Sequence, residues 1–408
     1  MKERIVFHID VNNAFLSWTA VYLLKKGYKQ DIRKIPSIIC GDEKERSGIV
    51  LAKSPVAKKF GIVTAETIYS ARKKCPNLEM YPPNYNLYST CSKNLYNYLC
   101  QYSPQIEQYS IDECFIEMTG TSYLYKDYIE LAYKIKEDIK RLFGFTVNVG
   151  IGNNKLCAKM ASDFEKPDKF HTLYKTEIED KLWPLDVGDL FMIGKKTKEE
   201  LNKLNIKTIK DLAYADSNIL ERHFKSHAKY MKEASWGIDN TKVEPRSSKR
   251  ESISTTETLK HDYTDEEKLK EILYRQSDDV ARQLRKQGDY ANTVAIIFKN
   301  NQFKTYSSQS KLKLPSNNTK DIYELAVKIF DTNYKNDPIR LIGIRLSDFQ
   351  SSKEEQISLF SEEKSTETME NDEIQRTIDI INSKFGKSLL APASLKIIGK
   401  GKNKKRED

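Results

Sequence analysis

Cysteine is scarce in this sequence, and the few present are not spaced for a shared task. Cys40, Cys75, Cys91, Cys100, Cys114 and Cys157 form no CxxC pair and have no companion histidines, so neither a zinc site nor a disulfide frame is expected. Reduced thiols in a cytosol fit this usage. No apolar run reaches the roughly 18 residues that a membrane helix needs. The opening MKERIVFHIDV is interrupted too early, by His8 and Asp10, to read as a signal peptide. Internal repeats are absent as well. What the chain has in quantity is charge: 68 Lys and Arg against 58 Asp and Glu, a net +10 that favours polyanionic partners, nucleic acid ahead of anionic membrane. With 39% hydrophobic residues, 23 Tyr and 16 Phe, there is ample material for cores. The 408 residues predict roughly two to four domains in a globular protein.

Residues 4–11 read as a buried strand running into Asp10, and AFLSWTAVYLLKKG as a helix closed by Gly27. An acid therefore sits at a strand-to-helix junction. Short β-like runs follow at Pro36 to Cys40 and Gly48 to Leu51, then a helix in SPVAKKFG. From there to Pro83 the sequence is turn-rich and basic, as suits a small appended subdomain. A Tyr-rich helix over 85–102 leads into QIEQYSIDECFIEMTG, which reads as a hairpin around an acidic pair. A helix over 124–143, the strand FTVNVGIG and the helix NKLCAKMASDF, stopped before Pro167, complete a βα…βαββα order. That order predicts a mainly antiparallel sheet with helices on one face, and residues 24–80 inserted after the first helix. Residues 185–240 are helical in pattern, 250–350 return to mixed strands and helices, and Asp239 to Arg250 reads as a linker. Beyond Gln350 lies a charged tail with an apolar island from Gln356 to Phe360 and a basic end, GKGKNKKRED.

Phosphoryl transfer to a hydroxyl requires the nucleophile's proton to be loosened and the leaving group's charge to be neutralised. Two Mg²⁺ ions about 4 Å apart do both. Mg²⁺ prefers carboxylate oxygens and keeps waters and substrate phosphates in its shell, so a few acids converging on one edge of a rigid sheet are enough. Asp10 and the pair Asp112-Glu113 meet that need if their strands are neighbours. Adjacent residues of a regular strand point to opposite faces, so Asp112 and Glu113 share a site only where the pleat breaks into a turn. Each acid alone has an ordinary alternative: an Asp closing a strand is commonly a cap, and an Asp-Glu pair in a loop is commonly solvated.

Five segments in order resemble the Y family of DNA polymerases, the DinB/UmuC superfamily. They are HIDVNNAFLSW, GIVLAKSPVAKKFGI, YSIDECFIEMTG, GIGNNKLCAKMASDFEKPDKF and LFMIGKKTKEELNKLNIKTIKDLA, and together they cover most of residues 5–260. The resemblance implies an α+β, multi-domain right-hand fold. Its parts would be a ferredoxin-like palm at 1–23 and 81–170, small fingers at 24–80 and a helical thumb with a helix-hairpin-helix at 171–240. A linker at 241–249 would lead to a separate α+β little finger at 250–350 and a flexible tail at 351–408.

It also implies site residues. The metal ligands fall on Asp10, Asp112 and Glu113, with the Val11 carbonyl as a further ligand for two Mg²⁺ ions. Phe15 falls where the family blocks the ribose 2′-hydroxyl. Lys58 and Lys166 match the triphosphate contacts, with Lys155 and Lys159 in support. Pro55 stands where DinB-type members often carry Tyr, so Ser54 or backbone must replace a hydroxyl contact; this Ala-Lys-Ser-Pro reading is closer to UmuC-type sequences. Ile49 and Leu51 fall over the nascent base pair. Ile193-Gly194-Lys195-Lys196 supplies a turn through which backbone N–H groups meet DNA phosphates. Gln356, Leu359 and Phe360 resemble the peptide that binds the bacterial sliding clamp.

The implied activity is DNA-directed DNA polymerisation, error-prone and translesion, without proofreading because the acids form no second recognisable constellation. Its partners would be primed template DNA, dNTP and the sliding clamp, with no membrane, and the protein would act as a cytoplasmic, nucleoid-associated monomer. Two other readings compete. The intact trio argues against a catalytically silent, clamp-tethered DNA-binding module, and a nucleotide cyclase leaves the hairpin and the basic C-terminal domain unexplained.

Overall fold

The structure, a computed structural model, describes residues 4–43, 46, 48–121, 123–245, 249–351, 377–381 and 384. The chain forms two compact units, residues 1–43 with 48–247, and residues 44–47 with 248–408. Among the described residues no helix is long and apolar enough to cross a membrane.

The first unit is organised by a five-stranded sheet. Its strands are Val6–Val11 (β1), Ile106–Gln108 (β5), Glu113–Glu117 (β6), Val147–Gly152 (β7) and Phe170–Leu173 (β8), in the order β5-β6-β1-β7-β8. β1 lies at the centre, antiparallel to both β6 and β7, and every one of its residues is buried. Its alternation assigns two faces. Phe7, Ile9 and Val11 join a core with Trp18 of helix α1 (Ala14–Lys25), Tyr88 and Leu95 of α4 (Tyr85–Leu99), and Leu131 and Ile135 of α5 (Tyr128–Phe143). α5 follows from its sequence: Asp127 caps it by accepting from the Ile129 and Glu130 N–H groups, a buried stripe repeats through Leu131, Ile135 and Ile139, and Gly144 ends it at φ 79°.

Val6, His8 and Asp10 face the other way, onto α6 (Lys155–Asp163). Helices therefore cover both faces of the sheet, not one. The physical reason lies in β7. A Cβ on Gly150 would stand 1.9 Å from the Ala158 carbonyl oxygen, and one on Gly152 would stand 2.6 Å from the Ala158 nitrogen. Two glycines on one strand thus let α6 lie against it more closely than any side chain allows. β8, parallel to β7, is a further strand that the sequence pattern does not announce.

The inserted segment builds a small sheet of Ser37–Cys40 (β2), Val50–Lys53 (β3) and Glu79–Tyr81 (β4), in the order β3-β2-β4. It carries helices α2 (Pro55–Lys59) and α3 (Ile68–Lys74). The stretch expected to be only turn-rich contains α3, whose Thr67 cap and buried Ile68 and Ala71 define it, while its three closing basic residues blur the apolar period. Further on, α7 (Lys195–Lys203), α8 (Ile209–Tyr214), α9 (Ser217–Phe224) and α10 (Ser226–Ser235) surround Leu182, Trp183, Leu201, Leu212 and Met231.

The second unit is an antiparallel sheet of Ser252–Tyr263 (β9), Tyr290–Asn300 (β10), Thr305–Ser316 (β11) and Ile339–Gln350 (β12), in the order β11-β10-β12-β9. Val294, Ile296 and Phe298 stand in register with Leu346, Ile344 and Ile342. They pack against Leu273 and Val280 of α11 (Glu266–Gln287) and Phe330 of α12 (Thr319–Asn333).

Candidate active site

Asp10 and Glu113 are Cα partners across β1 and β6, so their side chains leave the same face of the sheet. Asp112 precedes the strand, in the bend that closes the β5–β6 hairpin, where the Tyr109 and Ser110 N–H groups both donate to the Glu113 carbonyl at 3.0 and 3.2 Å. The pleat breaks there, as sharing a site requires. The Val11 N–H donates to the Asp112 carbonyl at 3.1 Å, which ties the end of β1 to this bend. The Asp112 carboxylate accepts from the Ser110 hydroxyl at 2.7 Å. Burial pushes the Asp112 carboxyl above its ordinary range, and the charges of Asp10 and Glu113 push it the same way. The three acids are thus electrostatic neighbours.

Two ammonium groups answer that charge. Lys159, delivered by α6, lies 2.9 Å from Glu113 Oε1 and 3.4 Å from Asp10 Oδ2, and it is 8% exposed. Lys166 lies 2.7 Å from the same Asp10 oxygen and 2.7 Å from Asp163 Oδ1. Burial acts to raise the Glu113 carboxyl, but His8 and Lys159 overcome it and hold the group down at about 2. His8 is itself enclosed, its Nδ1 2.8 Å from the Ser162 hydroxyl and its Nε2 3.8 Å from Glu113 Oε2. Among the described residues no three His, Cys, Asp or Glu side chains are gathered closely enough to hold a metal ion as they stand. The Lys159 ammonium takes the place between Asp10 and Glu113. The donor set nevertheless suits a hard cation: carboxylate oxygens crowded on one rigid sheet edge, with mutual repulsion that a positive charge relieves.

Phe15, on the first turn of α1, stacks on Tyr88 with centroids 4.4 Å apart and meets Tyr85 edge-on at 6.2 Å. Phe15 and Leu51 pack against one cluster of Leu16, Ala20, Ile32, Ile39 and Ala52, so these two expected substrate-facing residues are brought together. Ile49 is 41% exposed and bridges to Thr67. Lys58 projects from α2 into solvent. Ser54 is fully buried as the cap of that helix: its hydroxyl donates to the Ile35 carbonyl and accepts from the Ala57 and Ser37 N–H groups. It has no hydrogen left to offer a phosphate.

Comparison with known proteins decides the family. The impB/mucB/samB family model matches residues 9–163, the impB/mucB/samB family C-terminal domain matches 250–359, and the IMS family HHH motif matches 175–206. The "DNA polymerase IV" of Clostridium acetobutylicum is 47% identical over 388 residues, 95% of this chain and 97% of the relative. The "DNA polymerase IV 1" of Bacillus subtilis is 32% identical over 410 residues, 100% of this chain and 95% of the relative. The chain belongs to the Y family of DNA polymerases. It is accordingly a DNA-directed DNA polymerase of the translesion class. The fold agrees: a Y-family DNA polymerase chimera, Dbh-Dpo4(243-245)-Dbh, superposes with a TM-score of 0.72 at 24% identity, over 84% of this chain and 98% of that one. An insertion ternary complex of Dbh DNA polymerase gives 0.60 at the same identity and coverage. The second unit corresponds to the little finger of such polymerases.

In this polymerase Gly194 caps α7 at φ −84°, so it makes no left-handed turn; that conformation falls on Met192, at φ 70°. Lys195 and Lys196 begin the helix and are exposed. The expected clamp peptide, Gln356, Leu359 and Phe360, lies outside the described residues. Two cations near the expected site residues have little voice in the sequence. Lys159 reads there only as support, yet it touches two of the three acids. Lys53, whose amine is lowered by burial and then by neighbouring Lys58, brings a second cation beside Lys58. Its position in VLAKSP, shortly before the Lys58-Lys59 pair, is the available signal.

Proposed function

We propose that this polymerase extends a primed DNA template from dNTP at Asp10, Asp112 and Glu113. The observation that carries the reading is the register pairing of Asp10 with Glu113, with Asp112 in the bend beside them. Together with the Val11 carbonyl, these residues would hold two Mg²⁺ ions, which supply Lewis-acid activation of the primer 3′-hydroxyl and neutralise the departing pyrophosphate. The residues of the chain itself do the positioning. Lys166 and Lys58, with Lys53 nearby, present cations to the triphosphate. Since the Ser54 hydroxyl is committed to the fold and already takes the Ala57 N–H, the Val56 N–H at the start of α2 replaces the contact that Pro55 omits. Phe15 sits beneath the sugar and leaves no room for a 2′-oxygen, while Leu51 and Ile49 border the nascent base pair.

Residues 1–23 and 81–170 serve as palm, 24–80 as fingers and 171–240 as thumb. The N-terminus of α7, with Gly194, Lys195 and Lys196, grips the DNA backbone without reading sequence. Gln356, Leu359 and Phe360 tether the enzyme, a monomer at the nucleoid, to the bacterial sliding clamp. Primer extension tests the core of this reading. Wild-type protein with Mg²⁺ and dNTP should lengthen a primed template, and Asp10→Ala should not. Equal behaviour of the two would sink it. Deleting residues 356–360 should abolish clamp binding and leave unassisted extension intact.

A further inference from the structure

Asn148 lies on β7, an interior strand between β1 and β8, fully buried and in register with Asp10. A central strand position of this kind ordinarily takes a β-branched apolar residue, and a buried amide is tolerated only when its polar atoms are paired. Here all four hydrogen-bonding positions are used. Asn148 Nδ2 donates to the Ser162 carbonyl at 2.9 Å and to the Glu165 carbonyl at 2.6 Å. Asn148 Oδ1 accepts from Asn12 Nδ2 at 2.9 Å and from the Lys169 N–H at 3.3 Å. Asn12, two residues beyond Asp10, in turn accepts the Asp168 N–H at 2.9 Å. Every partner other than Asn12 itself is a backbone group of the segment 162–169, and Glu165 and Asp168 bracket Lys166.

The far side of that segment is pinned as well. The Asp168 carboxylate is held by Lys136 at 2.8 Å and Lys140 at 2.9 Å, both on α5. Lys166 therefore hangs from a backbone fixed on both sides, and its ammonium reaches Asp10. The strand pair that presents the acid is the same pair that latches the loop carrying the cation, so the two are placed by one framework.

We propose that the Asn12–Asn148 amide pair is a positioning device that sets the Lys166 ammonium for the phosphates of the incoming nucleotide. This rests on the reading of Lys166 as a phosphate contact. Neither asparagine is required to touch substrate; both act through the loop, and a displacement of about 1 Å in such a loop is enough to weaken a charge contact markedly.

The test is steady-state incorporation by Asn148→Ala, Asn12→Ala, Lys166→Ala and Asn148→Ala/Lys166→Ala, each checked for folding by circular dichroism and for DNA affinity. Both asparagine variants should raise the KM for dNTP about tenfold while kcat falls less than about threefold and DNA binding is unchanged. The double variant should be within about twofold of Lys166→Ala alone, because the latch has no further purpose once the cation is gone. If Lys166→Ala raises KM but the folded asparagine variants keep the wild-type value, the positioning role is overturned and the Lys166 reading stands. Effects that multiply in the double variant also overturn it. If Lys166→Ala leaves KM unchanged, the phosphate reading fails and takes this proposal with it. Should Asn148→Ala fold poorly, Asn12→Ala, at the edge of the network, decides the matter.

Discussion

The rings of Phe15 and Tyr88 lie parallel, with centroids 4.4 Å apart and 7° between their planes. Tyr88 is fully buried, and its hydroxyl lies 3.0 Å from that of Thr19, which donates to the Phe15 carbonyl at 2.7 Å. The aromatic face and the backbone of Phe15 are therefore anchored by two residues that support each other, so its ring cannot shift without breaking the stack. Phe15→Ala should lower the ratio of kcat/KM for dNTP over the matching ribonucleotide on the order of 100-fold, which is ~2.7 kcal/mol of discrimination. Unchanged sugar selectivity would remove Phe15 from the gate role.

Lys159 supports a prediction about the protein without substrate. Its ammonium lies between Asp10 and Glu113 in a nearly closed site, and removing one partner of a buried pair costs about 3–5 kcal/mol because the other charge stays unpaired. Lys159→Met should lower the melting temperature in EDTA. Mg²⁺ should then restore more stability to the variant than it gives wild type, since the vacated position between two carboxylates suits a cation. Thermal melts of both proteins with and without MgCl₂ measure this. Equal Mg²⁺-induced shifts would show that the ion and the ammonium do not answer the same charge.

Much of this arrangement is legible in the sequence. Strand β1 running into Asp10, the hairpin around Asp112-Glu113, α4, α5, α6 and the mixed strands and helices after residue 250 all carry strong local patterns: alternation, capping Asp or Asn, and Gly stops. What escapes depends on long-range geometry. The second helical layer over the sheet comes from Gly150 and Gly152, and a glycine in a strand pattern does not say what approaches it. Lys159 looks like one member of a solvated stripe because its acids lie 149 and 46 residues away. Ser54 reads as a phosphate contact from its place beside Pro55, whereas the same Ser-Pro pair is a helix start, with the hydroxyl turned inward to cap α2.

The acid site also sets a pH dependence of stability. Glu113 is held at about 2 in the folded protein against an ordinary 4.5. A depressed carboxyl contributes stability that is fully present above its unfolded value and is lost as pH falls through the folded one. The window is therefore about pH 4.5 down to 2. With the side chain still 19% exposed, the contribution is about 2–3 kcal/mol. Between those limits, the urea-unfolding free energy of Glu113→Gln should fall less steeply with decreasing pH than that of wild type. Parallel slopes would show that the carboxylate is not held down by its neighbours.

Gly194 offers a test that separates fold from DNA grip. Its φ of −84° and ψ of 170° are ordinary for any residue, and a Cβ built there meets nothing within 4 Å. The fold itself therefore imposes no need for glycine, beyond a cap preference over Ala of about 1 kcal/mol or less. If glycine is there so that the α7 N-terminus can approach a DNA phosphate, the added methyl matters only when DNA is bound. Gly194→Ala should change the melting temperature by no more than a few degrees while weakening primer-template binding severalfold at all sequences alike. Lys195→Ala and Lys196→Ala, which remove charge without adding bulk, should instead flatten the dependence of log affinity on log salt, by about 0.9 for each duplex phosphate that is no longer neutralised. Fluorescence anisotropy across a salt series measures both effects. Wild-type affinity in Gly194→Ala, together with an unaltered salt slope in the lysine variants, would place the DNA grip of this unit elsewhere.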